Sequence, residues 1–336
     1  MRTRNLSLAW TKAAGIVAGA LALVVSAGAI AAAPAWKPER PVELVAPSAP
    51  GGGTDLTARL IQKILQDRRL IDVPTAVLNK TGGGGNVALA YLAQRPADGH
   101  TLAVATALLL TNRILGTSAY HHTDFTALAQ LNSEYVAFAV TANSPIRTGK
   151  DLLARLGADA ASVSIAVGTS LGGANHIASA LAARAAGGDI RKLKTVVFKS
   201  SVESVVALMG GHVDVVASSA SLLGPPLTSG ALRLVAISAP RRSDGVLAAV
   251  PTWTEQGYDI VVDNFRALVG PGGMTPAQVS YWDEVFARLA QTEDWQKGVA
   301  SNLWGNNYMG SKDARNYFES QFSVSRRILT DLGMAR

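Results

Sequence analysis

The chain has no cysteine, few aromatic residues and few charged residues. Its 336 residues include 6% Phe, Trp and Tyr and 16% Asp, Glu, Lys and Arg, against 48% hydrophobic residues. The lack of cysteine excludes disulfides, thiolate-bound metals and a cysteine nucleophile in this chain. The hydrophobic content is typical of a globular protein rather than a disordered one, and the length favours two domains.

Signatures of nucleotide binding and catalysis are also scarce. No Gly-Lys-Ser/Thr follows a glycine loop, which argues against a phosphate-binding P-loop. Gly83-x-Gly85-x-x-Ala88 fits a dinucleotide fingerprint by letter, but no acidic residue follows about 20 positions later to hold a ribose. A hydrolase needs a nucleophile with a placed base, and of five histidines only His176 falls on a helix after a glycine loop. No carboxylate cluster has metal-ligand spacing, so we predict no catalytic residue, cofactor or metal site.

Residues 1–33 are predicted to be a cleavable export signal. Arg2, Arg4 and Lys12 form a basic start, the stretch 13–33 has no charge, and small residues crowd its end. This order, with an Ala-x-Ala site, is typical of signal peptides and predicts a periplasmic protein. An uncleaved membrane anchor is the alternative, because 21 uncharged residues could span a bilayer. Of the formal charge of +7, three charges fall in this segment, and the remaining +4 argues against nucleic acid as a partner.

Strand and helix patterns alternate along the rest of the chain. This alternation predicts an α/β fold with mostly parallel sheets flanked by helices. The strands are near-continuous apolar runs, which suits sheets that are covered on both faces. The predicted strands are Val42–Ala46, Thr75–Leu78, Leu102–Ala105, Val136–Val140, Val163–Val167, Thr195–Phe198, Val213–Ala217, Leu232–Ser238, Ile260–Val262 and Ala267–Val269.

Two changes of composition divide the chain. Polar residues, prolines and glycines gather near residues 141–150 and again near 239–245. We predict that residues 34–138 plus 239–336 form lobe 1 and that residues 139–238 form lobe 2, inserted into it. Such an insertion implies two crossing segments and a cleft between the lobes.

The most informative stretch is a glycine loop between the first strand and a helical pattern. It reads Ser48-Ala49-Pro50-Gly51-Gly52-Gly53-Thr54-Asp55. Glycines let a ligand approach bare backbone amides, and a helix start leaves free N–H groups with a partial positive charge. Such a place binds anions without a lysine.

A second loop of this kind, Gly168-Thr169-Ser170-Leu171-Gly172-Gly173, lies in predicted lobe 2. Ligands of open α/β sheets bind at the carboxyl ends of strands, so two facing lobes would bring both loops to one cleft. We therefore expect a small di- or tricarboxylate to be held at both ends, with closure following binding. A third run, Asn79–Asn86, either caps the cleft or forms a packing turn.

The predicted ligand contacts lie on these loops and at neighbouring strand ends. His176 is expected to touch the ligand or the core rather than to act as a base. The predicted contacts are Ser48, Pro50, Gly51, Gly52, Gly53, Thr54, Asp55, Gly84, Asn86, Thr106, Gly168, Thr169, Ser170, Gly172, Gly173, His176, Lys199 and Ser218.

In order and spacing, several short motifs resemble those of the periplasmic solute-binding proteins of tripartite tricarboxylate transporters, the Bug family. The resemblance runs from about Pro41 to the C-terminus and implies a two-lobed periplasmic-binding-protein (Venus flytrap) fold. It also implies that backbone amides of the glycine loops hold the ligand carboxylates, often through bridging waters. The motifs are Ala49–Asp55 with Ala58-Arg59, Asn79–Asn86, Asp98–Leu102, Gly168–Ser170 with His176, Gly210–Asp214, Gly230–Arg233, Val250–Thr252 and Pro271–Pro276.

The chain departs from the family pattern at two places near the expected cleft. Phe265 stands where the family usually has Trp, and Phe198-Lys199-Ser200-Ser201 stands where it often has Tyr-Lys-Gly-Gly. The identity of the carboxylate is therefore left open.

Together these features predict an exported, monomeric binding protein that is not an enzyme. It would capture a small organic carboxylate and deliver it to the membrane permease subunits of a tripartite tricarboxylate-type transporter. The alternative is a ligand-binding partner of a membrane sensor, which the same fold would serve. An exported hydrolase is disfavoured because no nucleophile with a placed base is evident.

Overall fold

The computed structural model describes residues 36–243 and 245–336, and the predicted signal segment, 1–33, lies outside them. Within the described part of the chain, no helix is both long enough and apolar enough to cross a membrane.

The described chain alternates between strands and helices. The strands are Val42–Ala46 (β1), Thr75–Asn79 (β2), Thr101–Ala105 (β3), Thr126–Ser133 (β4), Val136–Thr141 (β5), Ile165–Gly168 (β6), Thr195–Phe198 (β7), Val215–Ser219 (β8), Leu232–Ile237 (β9), Arg266–Gly270 (β10) and Gly305–Gly310 (β11). The α-helices are Gly53–Asp67 (α1), Asn86–Ala93 (α2), Leu108–Ile114 (α3), Gly149–Ala158 (α4), Ala174–Ala185 (α5), Ser201–Met209 (α6), Ala220–Thr228 (α7), Pro276–Gln291 (α8), Glu293–Ser301 (α9) and Ser311–Asp331 (α10).

These strands form two sheets, with the orders β11-β4-β10-β3-β1-β2 and β7-β6-β8-β5-β9. In the first sheet, β1 is parallel to β2 and β3, whereas β10 is antiparallel to β3 and β4, and β11 is antiparallel to β4. In the second, β6 is parallel to β7 and β8, and β5 is antiparallel to β8 and β9. Most strands of each sheet therefore run in one direction, and the predicted α/β class is confirmed.

Alternating side chains explain why helices cover both faces of each sheet. On β3, Leu102 and Val104 pack with α1, α8 and α9, whereas Ala103 and Ala105 pack with α2, α3 and α10. The second sheet repeats this arrangement, with α4 and α5 on one face and α6 and α7 on the other. Below, lobe 1 means the first sheet with its helices, and lobe 2 means the second sheet with its helices.

Two segments cross between the sheets side by side. The first joins β4 to β5 through Glu134 and Tyr135, and the second leads into β10 through Asp263 and Asn264. The N–H of Asn264 donates to the carbonyl of Glu134 at 2.8 Å, and Tyr135 pairs with Asp263 in an antiparallel bridge. These contacts tie the two crossings together at the junction of the sheets.

Parts of the chain after β9 also pack on the second sheet. Leu247, Val250 and Trp253 belong to the cores on its two faces. The predicted strand Ile260–Val262 is wrong, since this segment packs against the same sheet without forming a strand in it. The strands β4 and β11 have no counterpart among the predicted strands.

Candidate functional site

The glycine loop after β1 ends at the N-terminus of α1. Gly52 precedes the helix and provides no side-chain cap. The N–H of Gly51 donates to Asp55 Oδ2 at 2.8 Å, and Thr54 Oγ1 donates to Ser48 Oγ at 2.6 Å. These bonds shape the loop, while the N–H groups of the first helical turn remain available to a ligand.

Glycine is needed at each of the three positions of this loop for a different structural reason. Gly51 has a φ of +80°, which favours glycine. A Cβ on Gly52 would lie 2.7 Å from Ser48 Oγ, and a Cβ on Gly53 would lie 2.7 Å from Arg266 Nη2. The glycines therefore let the loop fold onto itself and admit the Arg266 guanidinium beside the helix start.

The loop after β6 builds the matching part of lobe 2. It ends at α5, which Gly173 precedes without a side-chain cap. A Cβ on Gly168 would collide with the backbone of Ser201, the first residue of α6. Glycine at this position therefore lets the end of β6 lie close against the start of α6.

The loops of the two lobes touch each other. A Cβ on Gly84 of lobe 1 would lie 2.8 Å from Ser170 Oγ of lobe 2, and a Cβ on Gly172 would collide with the Leu115 side chain. Asn112 Nδ2 supports this contact by donating to the carbonyl of Gly84 at 3.0 Å. The cleft is closed in this conformation.

The closed loops surround a cavity of about 430 Å³ between the sheets. Among the described residues that line it, Lys199 and Arg266 are charged and none is acidic. Five helices, α1, α2, α5, α6 and α7, begin at this cavity, and each N-terminus contributes a partial positive charge. The residues that precede these helices and line the cavity are Gly52, Gly85, Gly173, Ser200 and Ser219.

The structure brings ten of the predicted contact residues to the cavity. They come from both lobes and from five different loops. They are Ser48, Gly52, Gly53, Thr54, Gly84, Thr106, Gly168, Thr169, Gly173 and Lys199.

Eight predicted contacts do not line the cavity. Pro50 and Gly51 are exposed, and Asn86 Nδ2 instead donates to the carbonyl of Thr117 at 2.9 Å. Ser218 lies on the opposite face of β8 from Ser219, which does line the cavity. The eight predicted contacts that do not line the cavity are Pro50, Gly51, Asp55, Asn86, Ser170, Gly172, His176 and Ser218.

Asp55 and His176 support their own loops instead of facing the cavity. Burial opposes ionisation of Asp55, but hydrogen bonds from Arg59, the Gly51 N–H and Asn79 lower the pKa of its carboxyl. His176 Nδ1 accepts the N–H of Gly172 at 3.1 Å, and burial lowers the pKa of His176 to about 4. Its imidazole is therefore neutral at neutral pH and shapes the loop that precedes α5.

A buried ion pair beside α1 was absent from the sequence prediction. Arg266 Nη2 donates to Glu134 Oε2 at 2.5 Å, and the two side chains are 4% and 0% exposed. Glu134 also accepts hydrogen bonds from Ser219 Oγ, at 2.8 Å, and from Ser221 Oγ. Arg266 and Ser219 line the cavity from opposite lobes, and the carboxylate behind them orients both.

Two buried polar atoms at the cavity have no hydrogen-bond partner among the described residues. They are Arg266 Nε, a donor, and Asn175 Oδ1, an acceptor. Buried polar groups are nearly always hydrogen-bonded. Because both atoms have almost no accessible surface, a ligand or a water in the cavity reaches them only if their side chains move.

The loop at residues 168–172 also fits the Gly-x-Ser-x-Gly pattern of nucleophile elbows. Ser170 Oγ has no hydrogen-bond partner among the described residues, and His176 Nδ1 is occupied by the Gly172 N–H. A serine without a hydrogen-bonded base is not activated as a nucleophile. Within the described chain, no group of His, Asp and Glu side chains is placed to hold a metal ion.

The fold and the enclosed cleft are those of a two-lobed periplasmic binding protein. The solved structure of the periplasmic binding protein BugD matches with a TM-score of 0.80 at 22% identity, over 89% of this chain and 99% of BugD. An R. palustris protein solved with adipate matches with a TM-score of 0.81 at 24% identity, over the same shares of the two chains.

The chain belongs to the TctC family, the tripartite tricarboxylate transporter family receptors, whose model matches residues 58–334. A UPF0065 protein of Cupriavidus necator is 26% identical over 96% of this chain and 97% of that protein. The family resemblance that the sequence motifs indicated is thereby confirmed. The family consists of solute receptors, so the protein is a solute-binding protein and not an enzyme.

Proposed function

We propose that this protein captures a small organic carboxylate in the cavity between its lobes and delivers it to the permease of a tripartite tricarboxylate-type transporter. The observation that carries the proposal is the convergence of five helix N-termini from both lobes on one closed cavity. Helix N-termini bind anions through free N–H groups and the helix dipole. No acidic residue is among the described lining residues, so no carboxylate of the chain itself faces a ligand in the cavity.

The charged side chains at the cavity support the same ligand class. Arg266 is balanced by Glu134, so its guanidinium contributes directed N–H donors more than net charge. Lys199 has no such buried partner beside it and adds positive charge at the cavity. Adipate in the R. palustris fold neighbour is consistent with a carboxylate ligand in this cleft.

We further propose that the lobes meet at the two crossing segments, close to Glu134 and Asn264. The expected boundary at residue 238 would separate residues 246–262 from the sheet on which they pack. In this proposal the export signal at residues 1–33 delivers the chain to the periplasm, where it acts as a monomer.

A thermal-shift panel on the mature chain tests carboxylate capture. The panel contains mono-, di- and tricarboxylates, with the matching amides or alcohols as uncharged controls. A ligand at about 100 times its dissociation constant adds roughly 2.7 kcal/mol to the free energy of unfolding. We expect at least one carboxylate, and none of the uncharged controls, to raise the melting temperature. A panel without any shift would contradict the proposal.

A matched pair of variants locates the binding to the helix N-termini. Ala174→Asp places a carboxylate in the first turn of α5 at the cavity, whereas Ala277→Asp makes the same change in the exposed first turn of α8. An acidic residue is electrostatically favourable in the first turn of a helix, so neither substitution should destabilise its own helix. Repulsion from a carboxylate a few ångströms away should weaken binding at least about tenfold in Ala174→Asp only. Equal affinities in titration calorimetry would place the ligand elsewhere.

A further inference from the structure

The cavity extends beyond the polar loops into an apolar part of lobe 1. Six of its lining residues are side chains of the core between the first sheet and helices α2 and α3. Each is at most 7% exposed, although it borders the cavity. These six residues, here called the apolar chamber, are Ala88, Leu89, Ala103, Ala105, Leu109 and Val269.

Small side chains make the room for this chamber. Ala103 and Ala105 stand on β3 where larger residues would fill the space toward α2, and Ala88 stands opposite them on α2. Close packing is the rule in protein cores, so three alanines beside an open volume mark a place shaped for something other than the chain itself. The total volume of about 430 Å³ lies within the range of small-molecule sites.

The apolar chamber offers no partner for a charge. None of its six side chains carries a polar atom, and the backbone of β3 is paired with β1 on one side and β10 on the other. A carboxylate placed there would lose its hydration without gaining hydrogen bonds, which is strongly unfavourable. An alkyl or aryl group would gain free energy in proportion to the apolar area it buries.

At the lobe 1 end of the polar side, the start of α1 and Arg266 offer donors for one anionic group. The start of α1 and the Arg266 guanidinium lie side by side, since a Cβ on Gly53 would lie 2.7 Å from Arg266 Nη2. The positive charge of Arg266 is already balanced by Glu134. A single carboxylate therefore suits this end better than two or three.

We propose that the ligand is a monocarboxylate with an apolar alkyl or aryl body, whose carboxylate binds at α1 and Arg266 and whose body fills the apolar chamber. This proposal rests on the proposed function, because it assumes that the cavity captures a carboxylate. It replaces the di- or tricarboxylate expected from the sequence with an amphipathic ligand.

A chain-length series on the unmodified mature protein tests the proposal. Titration calorimetry compares butyrate, hexanoate, octanoate and phenylacetate with succinate, adipate and citrate. We expect affinity to rise about fourfold for each methylene buried, until the chamber is full. Hexanoate or phenylacetate should bind at least about tenfold more tightly than succinate or citrate.

A matched pair of variants on α2 tests the position of the apolar body. Ala88→Leu fills the apolar chamber, whereas Ala93→Leu makes the same change at an exposed position of the same helix. In Ala88→Leu, octanoate should bind at least about tenfold more weakly while butyrate changes less than about threefold. The Ala93→Leu variant should bind octanoate and butyrate with the same affinities as the parent protein.

The outcomes separate this proposal from the proposed function. If affinity is flat along the series, or if succinate or citrate binds most tightly, the monocarboxylate proposal is overturned and carboxylate capture stands. If no carboxylate binds, both are overturned. The chain-length series uses the unmodified parent protein, so it tests the monocarboxylate proposal even if the Ala88→Leu variant does not fold.

Discussion

Burial determines the role of His176 more than its position in a glycine loop does. Its imidazole is 7% exposed and accepts the Gly172 N–H, and burial lowers its pKa to about 4. A histidine with a lowered pKa binds fewer protons in the folded state than in the unfolded state between pH 6.5 and about 4. Its stabilising contribution is therefore complete above pH 6.5 and is lost as the pH falls through this window.

We expect His176→Gln to remove this part of the pH dependence. Glutamine can still accept the Gly172 N–H but does not titrate. Between pH 7 and pH 4, the parent should lose about 3 kcal/mol more of its free energy of unfolding than the variant. Denaturant unfolding at several pH values measures this difference. Parallel pH curves for the two proteins would show that His176 does not titrate in this window.

Single side chains also show where sequence reasoning failed. Predicting Ser218 instead of its neighbour Ser219 is an error of one residue, which reverses the face of a strand. Arg266 was missed for another reason. Ligand groups were expected at the carboxyl ends of parallel strands, but β10 is antiparallel, so its first residue lies beside the end of β3, where Ala267 pairs with Ala105. The sequence does not reveal that direction, because the chain reaches β10 through a crossing from the other sheet.

At the level of elements, apolar strands were predictable and polar strands were not. The bounds of β1 and β7 are as predicted. β4 carries Gln130 and Asn132 in its interior, and β11 contains two asparagines. Such strands are specified by the strands with which they pair, which short-range patterns do not show.

The loop before α5 supplies an element-scale prediction about closure. Gly172 and Gly187 have φ values of +79° and +78°, but only a Cβ on Gly172 would collide with Leu115 of lobe 1, whereas Gly187 has open space. Alanine at either position should cost roughly 1–2 kcal/mol of stability through backbone strain. Gly172→Ala should in addition push the lobes apart and weaken carboxylate binding.

Unfolding and binding measurements on the two variants distinguish these effects. We expect Gly187→Ala to keep the affinity of the parent for the carboxylate that gives the largest thermal shift. Gly172→Ala should bind this carboxylate at least about tenfold more weakly, because its Cβ would collide with Leu115 when the lobes are closed. Equal affinities would mean that the Gly172–Leu115 contact is not needed in the ligand-bound state.

At the scale of the whole molecule, several contacts tie the lobes at the back of the cleft. Glu134 on one crossing binds Arg266 of lobe 1 and Ser219 of lobe 2. Asp263 on the other crossing accepts from Tyr317 of α10 at 2.7 Å, and burial raises the pKa of Asp263 despite this bond. We therefore expect opening to occur at the mouth of the cleft, where the lobes meet through Gly84, Ser170, Leu115 and Gly172.

The mouth of the cleft offers a direct test of opening, since the chain has no cysteine of its own. A Cβ on Gly84 would lie 3.3 Å from Ser170 Cβ, close to the Cβ separation of about 3.5–4.5 Å in disulfides. We expect Gly84→Cys with Ser170→Cys to form a bond across the mouth on oxidation. The positive φ of Gly84 costs about 1–3 kcal/mol in the double variant, and this strain is present whether the bond is oxidised or reduced.

If a ligand must pass the mouth, the oxidised double variant should release bound carboxylate at least about tenfold more slowly than the reduced one. Stopped-flow displacement measures the release rate, and a reductant should restore it. Ser170→Cys alone should behave as the parent under both conditions, because it leaves no partner thiol. Equal release rates in the oxidised and reduced double variant would mean that the ligand leaves without separating the Gly84 and Ser170 loops. The mouth would then be a fixed wall of the cavity, and the closing motion would have to be sought elsewhere around it.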